Sequence, residues 1–253
     1  MNKTHILSIM FGLLLAVGGC SENNDQPGSA SLQFFLTDNP GDFQQVNIDL
    51  VAIKVIMNDS VIDVPTIPGI YNLLDFTNGK DTLVADAELE GGHLSQVRLI
   101  LGENNSLMVD DVVHDLKTPS AQTSGLKLNV HQEIIPGEAY SYVIDFDAMK
   151  SIVCKGNGGF NLKPVIRVFT EVLTGSVHGI VSPASADSLI NLIRTDDTLS
   201  TQSDTLGHFM FRGLDPGLYD IEMLAVSGYS DTTLSDIEVF AGETTHIDTV
   251  FFE

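Results

Sequence analysis

Six histidines follow the N-terminal apolar stretch, at His93, His114, His131, His178, His208 and His246. None sits in an HExxH motif or another paired spacing, so the sequence supports neither a zinc centre nor any other metal or cofactor. Asp145 and Asp147 flank Phe146. On a strand, where side chains alternate, both carboxylates face one way. Such a pair does general acid–base work or holds a cation. The expected role here is plainer, that of capping a turn where the strand ends. Asp38, Asn39 and Asp42 surround Pro40-Gly41 and carry the oxygen ligands Ca²⁺ takes. They match no EF-hand, and Asx-type turn bonding accounts for them equally well. Cys154 ends the apolar run Ile152-Val153-Cys154 without a nucleophile motif around it, and it reads as a buried small hydrophobe. Arg98, Lys127 and Lys163 are rare cations, expected in buried ion pairs with acidic partners. No catalytic residue is expected, and the chain reads as a non-enzyme.

One pattern exceeds what composition produces. Asp followed by Ser or Thr and then an apolar residue or Thr recurs with candidate hydroxyls at Ser60, Thr82, Ser188, Thr198, Thr205, Thr232 and Thr249. Composition alone gives on the order of one or two such triplets. The pattern resembles the O-glycosylation acceptor motif that one group of Gram-negative bacteria uses on exported proteins. Asp before a hydroxyl residue favours exposed turns, where a transferase has access. The competing source is the accumulation of Asp-Thr at strand ends in any acidic β-rich chain.

Strands must position these groups. Val46-Asn47-Ile48-Asp49-Leu50 alternates as a half-buried strand does, and similar runs span Leu32 to Leu36, Leu94 to Leu101, Leu107 to Val113, Tyr140 to Phe146 and Leu162 to Val172. Gly, Asn, Asp and Pro clusters separate them, which predicts an all-β sandwich or barrel. A short helical turn is expected only within Asp147 to Val153. A second unit with shorter strands begins near Leu173: Gly175 to Val181, Leu189 to Arg194, His208 to Phe211, Gly217 to Val226, Leu234 to Phe240 and Thr244 to Phe251. Thr174-Gly175 is the expected hinge.

At the N-terminus, Lys3 precedes an apolar run from Ile6 to Val17 that is broken by Ser8 and Gly12. A permanent membrane helix needs about 20 apolar residues; this shorter run reads as a secretory leader. Val17-Gly18-Gly19-Cys20 resembles the lipobox of bacterial lipoproteins, which implies cleavage before Cys20 and diacylglycerol, palmitate included, on its thiol. Several buried chains at roughly 0.8 kcal/mol per CH₂ anchor stably. Ser21 after the cysteine resembles the default signal for the outer membrane, with the periplasmic face and the cell surface both open. The predicted layout is a signal peptide over 1–19, the lipidated cysteine and a flexible tether over 20–30, and β-sandwich domains over 31–172 and 173–253.

The chain has 253 residues, with 12 Lys and Arg against 34 Asp and Glu, and a formal net charge of −22. Such a surface repels nucleic acid, so no nucleic-acid partner is expected. The expected partners are the lipid bilayer through the anchor and a glycan or an envelope protein. With Cys20 lipidated, Cys154 is left single and no intrachain disulfide forms. The absence of Trp argues against flat aromatic sugar platforms. Among five tyrosines, Tyr229 beside Gly228 is the most exposed-looking.

Several pieces in order carry a family resemblance: Leu36-Thr37-Asp38-Asn39-Pro40, Asn72-Leu73-Leu74-Asp75-Phe76 with Asn78-Gly79, and Gln96-Val97-Arg98-Leu99. Pro119-Ser120 with Gly125-Leu126-Lys127-Leu128, Asp145-Phe146-Asp147-Ala148 and Leu162-Lys163-Pro164-Val165-Ile166 follow. With them, Leu32 to Val168 resembles domain-of-unknown-function family 4382 (DUF4382), found in secreted and lipid-anchored bacterial proteins. The resemblance implies no known activity.

Ser203-Asp204-Thr205-Leu206-Gly207-His208-Phe209-Met210-Phe211, Gly213-Leu214-Asp215-Pro216-Gly217-Leu218-Tyr219-Asp220-Ile221, Gly228-Tyr229 and Val239-Phe240-Ala241-Gly242-Glu243 carry a second resemblance. With these, Leu173 to Phe252 resembles the carboxypeptidase regulatory-like domain, a prealbumin-like sandwich that serves beside other domains as a spacer or add-on. The fold is also grouped with starch-binding-like modules. Asp204 and Gly207 are expected to turn the chain into a strand, and Tyr219 to bury its ring while its hydroxyl reaches the backbone. The fold class expected is therefore all-β, with two sandwiches of immunoglobulin-like or prealbumin-like type. The functional expectation is a lipid-anchored envelope protein that binds, displays or supports, with a carbohydrate-binding module as the alternative.

Overall fold

The alternating runs become strands in a computed structural model that describes residues 28–39, 43–118, 125–156, 158–186, 189–195 and 197–253, with the side chain at 39 outside that set. The leader, Cys20, the tether through Pro27, Asp42 and Ser188 lie outside the described residues.

The first half carries β1 (Ser29–Asn39), β2 (Gln45–Met57), β3 (Ser60–Val64), β4 (Gly69–Asn72), a 3₁₀ turn at Leu73–Phe76, β5 (Thr82–Glu90), β6 (Gly92–Leu101) and β7 (Ser106–Val109). β8 (Val112–Asp115), β9 (Leu126–Ile134), β10 (Ala139–Asp147), the one-turn helix α1 (Ala148–Ser151), β11 (Ile152–Cys154), β12 (Phe160–Leu162) and β13 (Ile166–Thr170) complete it. One sheet runs β13-β10-β1-β5; the other, seven-stranded, runs β8-β7-β2-β6-β9 with β3 and β4 on the far side of β2. They pack face to face over a core in which Phe34, Tyr142 and Phe146 are fully buried. Burying such a side chain contributes about 1.5–3 kcal/mol. Tyr142 stacks on Phe34 and donates its hydroxyl proton to Gln132 Oε1 at 2.9 Å, so its polar end is satisfied.

The second half carries β14 (Gly175–Ser182), a 3₁₀ turn at Ala184–Ala186, β15 (Leu189–Arg194), β16 (Asp197–Gln202), β17 (His208–Leu214), β18 (Gly217–Leu224), β19 (Thr232–Val239), β20 (Thr244–His246) and β21 (Val250–Phe251). Sheets β17-β14-β20, with β21 also on β14, and β16-β15-β18-β19 enclose a separate core around Phe209, Phe211 and Ile221. The chain is all-β, two sandwiches in tandem.

The structure divides some expected strands. Leu107 to Val113 is a hairpin, because Asp110 and Asp111 both adopt positive φ (51° and 59°), the two-residue turn whose twist suits antiparallel strands. Leu162 to Val172 breaks at Lys163-Pro164-Val165, where Pro164 lacks the N–H a ladder needs. Thr244 to Phe251 is two short strands, β20 and β21. The helical turn falls where it was expected, within Asp147 to Val153.

The second sandwich rests on the outer face of β13-β10-β1-β5 through two arginines. Arg167 on β13 donates through Nε to Asp145 Oδ2 at 2.6 Å, and through Nη1 and Nη2 to the carbonyls of Gly213 (3.0 Å) and Arg212 (2.6 Å). Arg212 in turn reaches Asp81 Oδ2 at 2.9 Å and pairs with Glu171. Gly213 has φ +67°, and the Phe169 ring leaves no room for a Cβ there, so glycine allows the backbone this close.

Candidate functional site

The seven-stranded sheet turns Ile53, Val55, Val97, Leu99 and Leu128 into the core, which leaves the alternate residues on its outer face. A bulge at Leu50/Ala52 on β2 resets the alternation so that the three strands agree along the row that follows it. The shared register then sets Asp63, Lys54, Arg98 and Lys127 side by side, one each from β3, β2, β6 and β9. Neighbouring strands lie about 4.8 Å apart, so the three cations stand in a line about 10 Å long. Lys54 pairs with Asp63 at 2.7 Å. Among the described residues, none of the ion pairs involves Arg98, Lys127 or Lys163. The expected burial of these cations against acidic partners is thus corrected: Lys127 and Lys163 are exposed and Arg98 is half-exposed.

The next row on the same face is Ile56, Gln96 and Asn129. Gln96 Nε2 donates to Asn129 Oδ1 at 3.0 Å, and Gln96 Oε1 accepts from Arg98 Nε at 2.8 Å. That bond orients the guanidinium, and among the described residues its two terminal nitrogens are left for an incoming acceptor. Like charges directly opposite on adjacent strands destabilise a sheet. This row therefore costs stability in the free protein and offers a line of donors to an anion.

The other sequence candidates do not meet at one place. Asp145 is buried in the junction ion pair, whereas Asp147 caps α1, accepting from the Lys150 N–H at 2.9 Å and pairing with Lys150 Nζ at 3.1 Å. The second is the capping role expected of it. Burial lifts the Asp145 carboxyl above its ordinary range against the pull of Arg167. Asp38 is also buried, and its Oδ1 accepts from the Ala148 N–H at 2.9 Å. Cys154 is a further correction: on β11 only Ile152 packs against the core, whereas Val153 and Cys154 are exposed. Tyr229 is half-buried, its ring edge-on to Phe252 at 6.5 Å, which removes it as a flat exposed platform. Tyr219 buries its ring and donates to the Asp215 carbonyl at 2.8 Å, and Asp204 Oδ1 accepts from the N–H groups of Leu206 and His208, as expected.

Among the candidate hydroxyl residues, Ser60, Thr198, Thr205 and Thr249 are exposed and Thr82 and Thr232 half-buried. Ser60 follows the Asn58-Asp59 turn, and Thr205 sits in the turn into β17. The histidines, scattered in sequence, are gathered by strand register: His93 stacks with His131 at 6.0 Å, and His178 lies against both His208 and His246. Among the described residues, no helix is long and apolar enough to cross a membrane.

A family profile described as "Domain of unknown function (DUF4382)" matches residues 29–164. No curated protein matches the chain. Among solved structures, a type II cohesin–X-dockerin complex from Acetivibrio cellulolyticus is 15% identical, covering 31% of this chain and 56% of that one at a TM-score of 0.25. The minor pilin GBS52 of Streptococcus agalactiae is 11% identical, covering 87% and 94% at 0.25. A variant of the shaft pilin SpaA of Lactobacillus rhamnosus GG is 11% identical, covering 89% and 96% at 0.23. With scores this low, the architecture stands on the sheet order and registers alone.

Proposed function

The chain belongs to the DUF4382 family, and from that premise we propose that it is a non-enzymatic, lipid-anchored envelope protein that holds an anionic ligand on the outer face of its seven-stranded sheet. The observation that carries the binding role is the in-register row of Lys54, Arg98 and Lys127 in a chain of net charge −22. At physiological ionic strength charges beyond about 8 Å are largely screened, so a ligand lying on the row responds to these cations more than to distant carboxylates. A linear polymer with one carboxylate per unit fits a charge spacing of about 4.8 Å. This turns the carbohydrate-binding reading toward acidic glycans; a neutral sugar would look for a flat exposed aromatic face, and Tyr229 is half-buried beside Phe252.

The test is calorimetric titration of the purified chain with polygalacturonate, and with neutral dextran as control. Binding to the acidic polymer alone, weakened at least tenfold by Lys127→Glu or Arg98→Glu, is expected. Equal binding to both polymers, or no loss in the variants, removes this site.

The envelope address rests on the leader and the Cys20 context. Metabolic labelling with an alkyne fatty acid is expected to mark the wild-type chain and to fail with Cys20→Ser. The C-terminal sandwich, by its resemblance to carboxypeptidase regulatory-like domains, serves as a spacer. Ser60, Thr198, Thr205 and Thr249 are the hydroxyls placed for O-glycosylation, which intact-mass measurement of the native chain would register.

A further inference from the structure

The outer face of β17-β14-β20 gathers three histidines from three strands. In the antiparallel pair, His178 stands opposite Met210, so His208, two residues before Met210, shares its face. In the parallel pair, His178 stands directly opposite His246. The inner face belongs to Val177, Val181, Phe209 and Phe211, all in the core. The His178 and His208 rings stack at 5.5 Å between centroids, and His208 Nδ1 lies 3.4 Å from His178 Nε2. The His246 ring stands edge-on to His178, also at 5.5 Å. The His208 Nδ1–His178 Nε2 contact is a hydrogen bond here; two imidazole nitrogens bound tetrahedrally to Zn²⁺ at about 2.0–2.1 Å lie about 3.4 Å apart, so an ion that displaces the shared proton finds the pair at chelate spacing.

We propose that this face binds one divalent transition-metal ion, Zn²⁺ or Cu²⁺, through His178 Nε2 and His208 Nδ1, with His246 as the third ligand. Among the described residues no three such side chains already meet at one point. The third ligand therefore turns in when the ion arrives, which His246, exposed at the end of the three-residue strand β20, is free to do. Imidazole donors select Zn²⁺ and Cu²⁺ over Ca²⁺ and Mg²⁺, which take oxygen. Bound there, the ion cross-links β17, β14 and β20.

The chain, purified from membranes in detergent, is titrated calorimetrically with Zn²⁺ and separately with Cu²⁺. One ion per chain is expected, at least tenfold weaker in His178→Gln or His208→Gln, less weakened in His246→Gln, and unchanged in His93→Gln on the other sandwich. Ring resonances in the unsubstituted protein provide a reading independent of whether the variants fold: Zn²⁺ is expected to shift His178, His208 and His246 and to leave His114 in place. Absence of stoichiometric binding to the folded wild type, undiminished binding in the His178→Gln/His208→Gln double variant, or ring shifts confined to other histidines would each overturn the site.

Discussion

Asp145 is buried at the junction, where its Oδ1 has no hydrogen-bond partner among the described residues while Oδ2 is held by Arg167. Removing one member of a buried pair strands the other charge, so Arg167→Met is expected to cost about 3–5 kcal/mol in urea unfolding. Because burial raises the Asp145 carboxyl, the folded chain holds its proton more tightly than the unfolded chain. Its contribution is complete below the unfolded value of about 3.9 and is lost as pH rises through the raised folded value. Unfolding of wild type and Asp145→Asn across that range is expected to show wild type losing stability relative to the variant as pH rises. Lys127→Gln is expected to do the opposite of a typical loss-of-function change, stabilising the free protein by about 0.2–1 kcal/mol by relieving the cation row. At this scale the sequence was partly legible. Asp147 declared its cap because acid at a strand end has few other uses. Cys154 misled, because an apolar tripeptide reads as core, whereas only Ile152 of the three packs against it. The histidine cluster carried no local signal, since register joins residues 30 and 68 positions apart.

Strands declared themselves in β1 and β10, where large apolar residues alternate with polar ones, but β9 (Leu126–Ile134), which alternates in the same way, was not among the expected strands. Others were missed where the inward positions were small or the run was short. β5 buries Ala85 and Ala87, too weakly apolar to stand out, and β3, β4 and β11 have only three to five residues each. β2 was legible only as far as its bulge, beyond which the parity of inward residues reverses. The turns give a direct test. Asn58 and Asp59 both have positive φ (49° and 60°), a conformation that favours glycine at the second position. Asp59→Gly is expected to raise the urea midpoint, by about 0.5 kcal/mol in stability, without changing the slope.

For the whole molecule, the junction decides whether two cores behave as one. Arg212 is nearly buried and spans Asp81 on the first sandwich and Glu171 at the connection, while Arg167 holds two carbonyls of the second. With these in place the sandwiches are expected to melt together, and Arg212→Ala to split the calorimetric endotherm into two. The expected hinge is also held: Thr174 Oγ1 donates to the Thr170 carbonyl at 2.8 Å, and the Thr174 carbonyl accepts from the Gly242 N–H. The position of β1 has a mechanical meaning. It is the first described strand and lies inside its sheet, in register with β10 over nine residue pairs on one side and with β5 over eight on the other. A pull along the segment preceding Ser29 loads both ladders in shear, so many rungs must fail together. An edge strand would instead unzip rung by rung, at far lower force.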